Sequence, residues 1–104
     1  MIKIYWGANS MPRKNTREWI ENILHSTRDL TELDSLDFEG LHLARLDFSY
    51  CNLQGANFEG ANLKNAIFYK ANLERANLKN AKITGADFTD ANLEDAILPE
   101  DFAK

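Results

Sequence analysis

One cysteine, two prolines, five glycines and two histidines are all that 104 residues contain of the types that staple, break or metallate a chain. A lone Cys51 excludes an intrachain disulfide, so nothing asks for an oxidising compartment. His25 and His42 have no cysteine, histidine or carboxylate at ligand spacing, which leaves no metal site to expect. No Ser/His/Asp set, glycine-rich phosphate loop or nucleotide motif occurs, and no carboxylate pair stands out as an acid/base couple. Neither an enzyme nor a cofactor is expected. No run approaches the ~20 apolar residues that a bilayer span needs. Met1-Ile2-Lys3-Ile4-Tyr5-Trp6 lacks the continuous apolar stretch of a signal peptide. A soluble cytoplasmic protein without a membrane partner is the expectation. The net charge is a mild -4, unevenly spread: residues 1–30 hold five bases against three acids, and residues 31–104 hold seven against thirteen. That balance argues against direct nucleic-acid binding, which usually needs a basic face.

What is abundant is a period. From Leu36 the chain reads LDFEG, LHLAR, LDFSY, CNLQG, ANFEG, ANLKN, AIFYK, ANLER, ANLKN, AKITG, ADFTD, ANLED, AILPE, thirteen consecutive units of five. Thr31 to Ser35 is in frame and reads as a degenerate fourteenth. The first residue is small or apolar, the second usually polar, and the third is Leu, Phe or Ile without exception.

Geometry limits what such a pattern can be. On an α-helix a five-residue step advances about 140°, which smears the Leu and Phe positions around every side. On a continuous strand an odd period flips the apolar set to the opposite face at each repeat. One buried face results only if the chain turns once per unit, with first and third residues inward and the other three outward. Gly40, Gly55, Gly60, Gly85, Asn65 and Asn80 fall at the fifth position, where a turn tolerates them best. Like residues recur at twenty (Phe48, Phe68, Phe88; Leu53, Leu73, Leu93), and two flat sides leave no room for phenylalanine inside, so four units make one coil. The expected fold is an all-β solenoid, a parallel β-helix of about three coils with like residues stacked ~4.8 Å apart.

The units ANLKN at 61–65 and 76–80, ANLER at 71–75 and ANLED at 91–95 resemble the pentapeptide-repeat family and its A-(D/N)-L-x-x consensus. The resemblance covers about two thirds of the chain. It implies a right-handed quadrilateral β-helix with four units per coil and no single biochemical activity.

A solenoid exposes its core at both ends unless something covers it. Asn15-Thr16 offers an N-cap to an amphipathic helix over roughly 16–28, with Trp19, Ile20, Ile23 and Leu24 on its apolar face. Leu36, Leu41 and Leu46 stand where later units carry alanine, which suggests a wider first coil packed against that helix. The division is therefore a strand (2–6) and capping helix in 1–30, the β-helix in 31–100 and a tail in 101–104. Five residues after Pro99 make a poor lid, even with Phe102 folded back. Exposed edges invite association, and relatives in the resembled family often pair at this end. A homodimer through Leu93, Leu98 and Phe102 is expected.

Cys51, at an inward first position, reads as a small buried hydrophobe rather than a reactive thiol. The twenty-residue step puts His42, Arg45, Lys64 and Lys82 on one side with no acid among its outward positions. The next side carries Tyr50, Ile67 and Tyr69, where an outward isoleucine beside two tyrosines forms a candidate contact patch. Asp87, Asp90, Glu94, Asp95, Glu100 and Asp101 make an acidic end. The expected function is a non-enzymatic module that binds a protein partner. The alternative, implied by the resemblance, is a DNA mimic that inhibits DNA gyrase; the modest charge and the basic side weigh against it.

Overall fold

A computed structural model describes residues 16–26 and 36–103. The anticipated strand at 2–6 and the in-frame unit at 31–35 lie outside the described residues. Helix α1 spans Arg17–His25, with Thr16 as N-cap: its hydroxyl accepts the Trp19 N–H at 3.3 Å. It ends where Ser26 leaves helical geometry and its hydroxyl bonds back to the Asn22 carbonyl at 2.8 Å. The helix expected over 16–28 is thus shorter at its C-terminal end among the described residues.

From Leu36 onward, single-residue parallel bridges join residues twenty apart, from Asp37–Asn57 through His42–Asn62–Lys82 to Asn77–Ile97. Four units therefore make one coil, and four sides can be named: side 1 begins with unit 36–40, side 2 with 41–45, side 3 with 46–50 and side 4 with 51–55. The all-β expectation needs one correction. Turns leave too few residues per side for extended strands, so the coil pairs by isolated bridges. Among the described residues the helical elements are α1 and a 3-10 turn at Glu100–Ala103.

The backbone accounting explains the repeat. Third- and fifth-residue N–H groups donate to the next coil, as Phe38 to the Asn57 carbonyl (2.7 Å) and Gly40 to that of Glu59 (2.9 Å). The second-residue N–H donates back, as Asn57 to the Leu36 carbonyl, 2.9 Å. The first-residue N–H closes a turn on the preceding third residue, as Leu41 on the Phe38 carbonyl, 3.1 Å. One donor per unit is left over, the fourth-residue N–H. In nine units the second-residue Asn or Asp takes it with its own side chain, for example Asn57 Oδ1 from the Glu59 N–H at 3.0 Å. Buried or half-buried backbone donors demand partners, and Asn or Asp at position two supplies this one.

Each turn has positive φ at its third residue alone, the fifth of the unit, which makes it type II. Every fifth residue from Gly40 to Asp95 lies between φ 55 and 75, including Arg45, Tyr50, Lys70 and Arg75.

First and third residues fill the interior as expected. Phe38, Phe58 on side 1 and Phe48, Phe68 on side 3 are fully buried. Along the axis the rings stack at 4.8 Å (Phe38–Phe58), 5.2 Å (Phe48–Phe68) and 5.1 Å (Phe68–Phe88), close to the coil spacing. Across the core the two columns meet edge to face, Phe58–Phe68 at 5.7 Å. Leu43, Leu63 on side 2 and Leu53, Leu73 on side 4 fill the space beside them. Cys51 is buried in the same core, in line with the sequence reading.

Trp19, Ile20, Ile23 and Leu24 of α1 belong to that core cluster. Arg17 ties the helix to the first coil: its guanidinium donates to the carbonyls of His42 (3.2 Å) and Ala44 (2.9 Å) and pairs with Glu21 at 3.2 Å. Both carbonyls belong to the coil's N-terminal edge, where no preceding coil exists to use them. Ala44, an outward fourth-position residue by the repeat, is buried there. Of the large first-position residues, Leu46 is buried while Leu36 and Leu41 are half-buried against the core.

Candidate interaction surfaces

Repeating bonds make sides 1 and 4 uniform. Asp37, Asn57 and Asn77 on side 1 and Asn52, Asn72 and Asn92 on side 4 all hold their fourth-residue N–H. Neighbouring amides also bond along the axis, Asn57 Nδ2 to Asp37 Oδ1 at 3.3 Å and Asn72 Nδ2 to Asn52 Oδ1 at 3.4 Å. Within the three full coils the exceptions are His42, Lys82 and Ile67, on sides 2 and 3.

On side 2 the structure aligns His42, Asn62 and Lys82 in one ladder, with Arg45 and Lys64 at outward positions beside it. His42, Arg45, Lys64 and Lys82 are all exposed. A ring nitrogen of His42 lies 3.1 Å from Asn62 Nδ2. The side is less purely basic than its own units suggest, because Glu100 and Asp101 border the shallow recess that Lys64 and Lys82 line. The spacing argument missed those two acids, since they reach side 2 through the 3-10 turn rather than the repeat.

On side 3 the second-position ladder runs Asp47–Ile67–Asp87. Tyr50 is 69% exposed, and its ring meets that of Tyr69 edge to face, 5.6 Å between centroids. Ile67 and Tyr69 are half-buried, so the patch is less protruding at Ile67 than its outward position suggests. Lys70 Nζ sits over the Tyr69 ring at 5.5 Å, a cation on an aromatic face. Two features escaped the sequence reading. Tyr50 occupies the left-handed region (φ 64), and the Tyr69 N–H has no partner among the described residues because Ile67 has no oxygen to offer. The signal was available, since Gly, Asn or Asp fill eight of the twelve fifth positions with positive φ, and Asn or Asp most second positions. Asp87 on this side accepts from the hydroxyl and then the N–H of Thr89, and these bonds hold its carboxyl below the ordinary aspartate value of 3.8 against a smaller desolvation effect.

At the far end Leu93 and Phe102 are half-buried and Leu98 is 36% exposed, next to Ile97 at 53%. Phe102 folds back onto Phe88, ring centroids 5.3 Å apart. The N–H groups of Ile83, Gly85, Phe88, Asp90, Leu93 and Asp95 face beyond the last coil without partners among the described residues. The acidic residues Asp87, Asp90, Glu94, Asp95, Glu100 and Asp101 are exposed around this end. Among the described residues no group of three or more His, Cys, Asp and Glu side chains could hold a metal, and no helix is long and apolar enough to cross a membrane.

Coils of four five-residue units, bridged in parallel at every twentieth residue, define a β solenoid of pentapeptide units. The model of pentapeptide repeats matches in 8 copies over residues 31–65, 42–80 and 56–95, and the chain belongs to that family. Among solved structures it is similar to a pentapeptide repeat protein from the Arabidopsis thaliana thylakoid lumen (44% identity over 61% of this chain and 43% of that one, TM-score 0.60). It is also similar to a pentapeptide repeat protein from the cyanobacterium Cyanothece 51142 (32% identity over 62% of this chain and 50% of that one, TM-score 0.53). The chain spans half the length of these structures or less. No curated protein sequence matches.

Proposed function

We propose that this chain is a non-enzymatic interaction scaffold that presents sides 2 and 3 to a protein partner. The carrying observation is the location of the repeat's departures. Sides 1 and 4 keep the Asn/Asp bond in every full coil, whereas His42, Ile67 and Lys82 give it up on two adjacent sides. A backbone hydrogen-bonded from coil to coil loses little entropy on docking, so a modest patch can bind specifically. In this reading the rod is right-handed and quadrilateral, α1 caps its N-terminal end, and two copies pair through Leu93, Leu98 and Phe102 at the open C-terminal coil.

Affinity capture from the native host tests it, with the wild-type chain as bait beside Ile67→Asp, Tyr69→Ala and a Lys64→Glu/Lys82→Glu double variant. Retention of a protein by wild type and its loss in at least one variant set is expected. Capture of no protein overturns the reading. DNA mimicry is less favoured because side 2 presents Arg45, Lys64 and Lys82; full supercoiling activity of gyrase at high concentrations of this protein would eliminate it.

A further inference from the structure

Side 3 departs from the repeat in two ways at once, and both departures cost local stability. A tyrosine in the left-handed region is crowded by its own Cβ, in a position that eight of the twelve positive-φ turns fill with glycine, asparagine or aspartate, and Lys70 on the same side shares that conformation. Ile67 leaves the Tyr69 N–H unpartnered where nine other units satisfy it. Both departures lie beside an aromatic pair, Tyr50 exposed and Tyr69 half-buried, that the coil itself does not need. Strained backbone and forgone bonds that gather in one patch point to a use for the patch.

The surroundings specify the chemistry of the occupant. Side 3 carries Asp47, Asp87 and Asp90 against a single Lys70 among its outward residues. Lys70 already lies over the Tyr69 ring, while the Tyr50 ring stands out at 69% exposure. A planar cation with an apolar face suits both parts of such a surface, stacking on tyrosine while its edge meets carboxylates. We propose that side 3 docks an arginine-bearing segment of a partner protein, with a guanidinium stacked on Tyr50 and paired with the carboxylates of the same side. This rests on the interaction-scaffold reading and names the partner's chemistry. Self-association through side 3 is disfavoured, because two acidic faces would oppose each other.

The test uses the full chain and four synthetic twelve-residue peptides that alternate one variable residue with leucine and proline: arginine, lysine, citrulline or glutamate. Fluorescence anisotropy should show the arginine peptide bound about tenfold more tightly than the lysine peptide, a difference of ~1.4 kcal/mol. The citrulline and glutamate peptides should show no saturable binding. Tyr50→Asn should weaken the arginine peptide at least tenfold while leaving Tm unchanged or raised, since asparagine tolerates positive φ. Lys79→Gln, at an exposed position on side 1, should change neither. Equal binding of arginine and citrulline peptides, binding that survives Tyr50→Asn, or a lower Tm in Tyr50→Asn would each overturn the inference. Preference for the glutamate peptide would overturn it too and move the contact to side 2. If native capture succeeds while Tyr50→Asn retains every captured protein, this inference falls and the scaffold reading stands.

Discussion

Gly60 and Gly85 occupy equivalent turns, yet their replacement by alanine should differ in cost. Both have positive φ, 68 and 75. A Cβ at Gly60 meets nothing within 4 Å, so Gly60→Ala carries only the left-handed penalty, about 1 kcal/mol. A Cβ at Gly85 would collide with Asn65 Oδ1, whose side chain lies over it from the coil before. Asn65 must then leave its rotamer, adding about 0.5–1.5 kcal/mol. Thermal unfolding followed by circular dichroism should show Gly60→Ala lowering Tm by about 4–8 °C and Gly85→Ala by up to about twice that. Gly85 lies in the last full coil, and fraying at a rod's end can mask a local cost. A double-mutant cycle separates the two: in an Asn65→Ala background the extra cost of Gly85→Ala should vanish. A coupling near zero between positions 65 and 85 would refute the ladder geometry of the fifth residues.

Two further perturbations follow from named bonds. Arg17→Met should destabilise the chain by about 1–2 kcal/mol by leaving the His42 and Ala44 carbonyls without their charged donor; a smaller loss for Glu21→Gln, read by urea unfolding, is expected because that ion pair is solvent-screened. Thr89→Val should bring the Asp87 carboxyl back toward its ordinary range in a carboxyl-carbon NMR titration. Because the folded value lies below the unfolded one, the contribution of Asp87 is present above the unfolded value and fades as pH falls through the folded one; acid unfolding of Thr89→Val should lack that part.

The third-position Leu, Phe and Ile made the coil legible, because only a turning chain gathers a period of five on one side. The twenty-residue step in Phe48, Phe68 and Phe88 made four sides legible, and those rings stack. Sides 2 and 3 were legible too, since outward positions follow from the same count. Other features were hidden for a common reason: they depend on backbone atoms that exist as sites only after the coil closes. Arg17 reads as a solvent-facing helix residue, yet its acceptors are two edge carbonyls created by the first coil. Tyr50 reads as an outward member of the patch, but its left-handed backbone is defined only once the turn closes. Glu100 and Asp101 escaped because the 3-10 turn takes the chain out of the repeat at Pro99.

In a repeat whose hydrogen-bond ledger is the same in every unit, stability alone favours one solution at each position. Asn or Asp belongs at position two, where it satisfies the fourth N–H; Gly or Asn belongs at position five, where φ is positive. A random loss of these residues would scatter around the rod. Here sides 1 and 4 hold Asn or Asp at position two through three coils, and the departures His42, Ile67 and Lys82 fall on the two sides that adjoin at one corner. At position five the bulky residues spread further, with Arg45 on side 2, Tyr50 and Lys70 on side 3 and Arg75 on side 4, so position two carries the contrast between sides. Core packing cannot account for the position-two departures, since all three side chains lie outside a core already filled by Phe, Leu and Ala. On the scaffold reading, sides 2 and 3 are therefore the faces that a partner gripping the rod should touch.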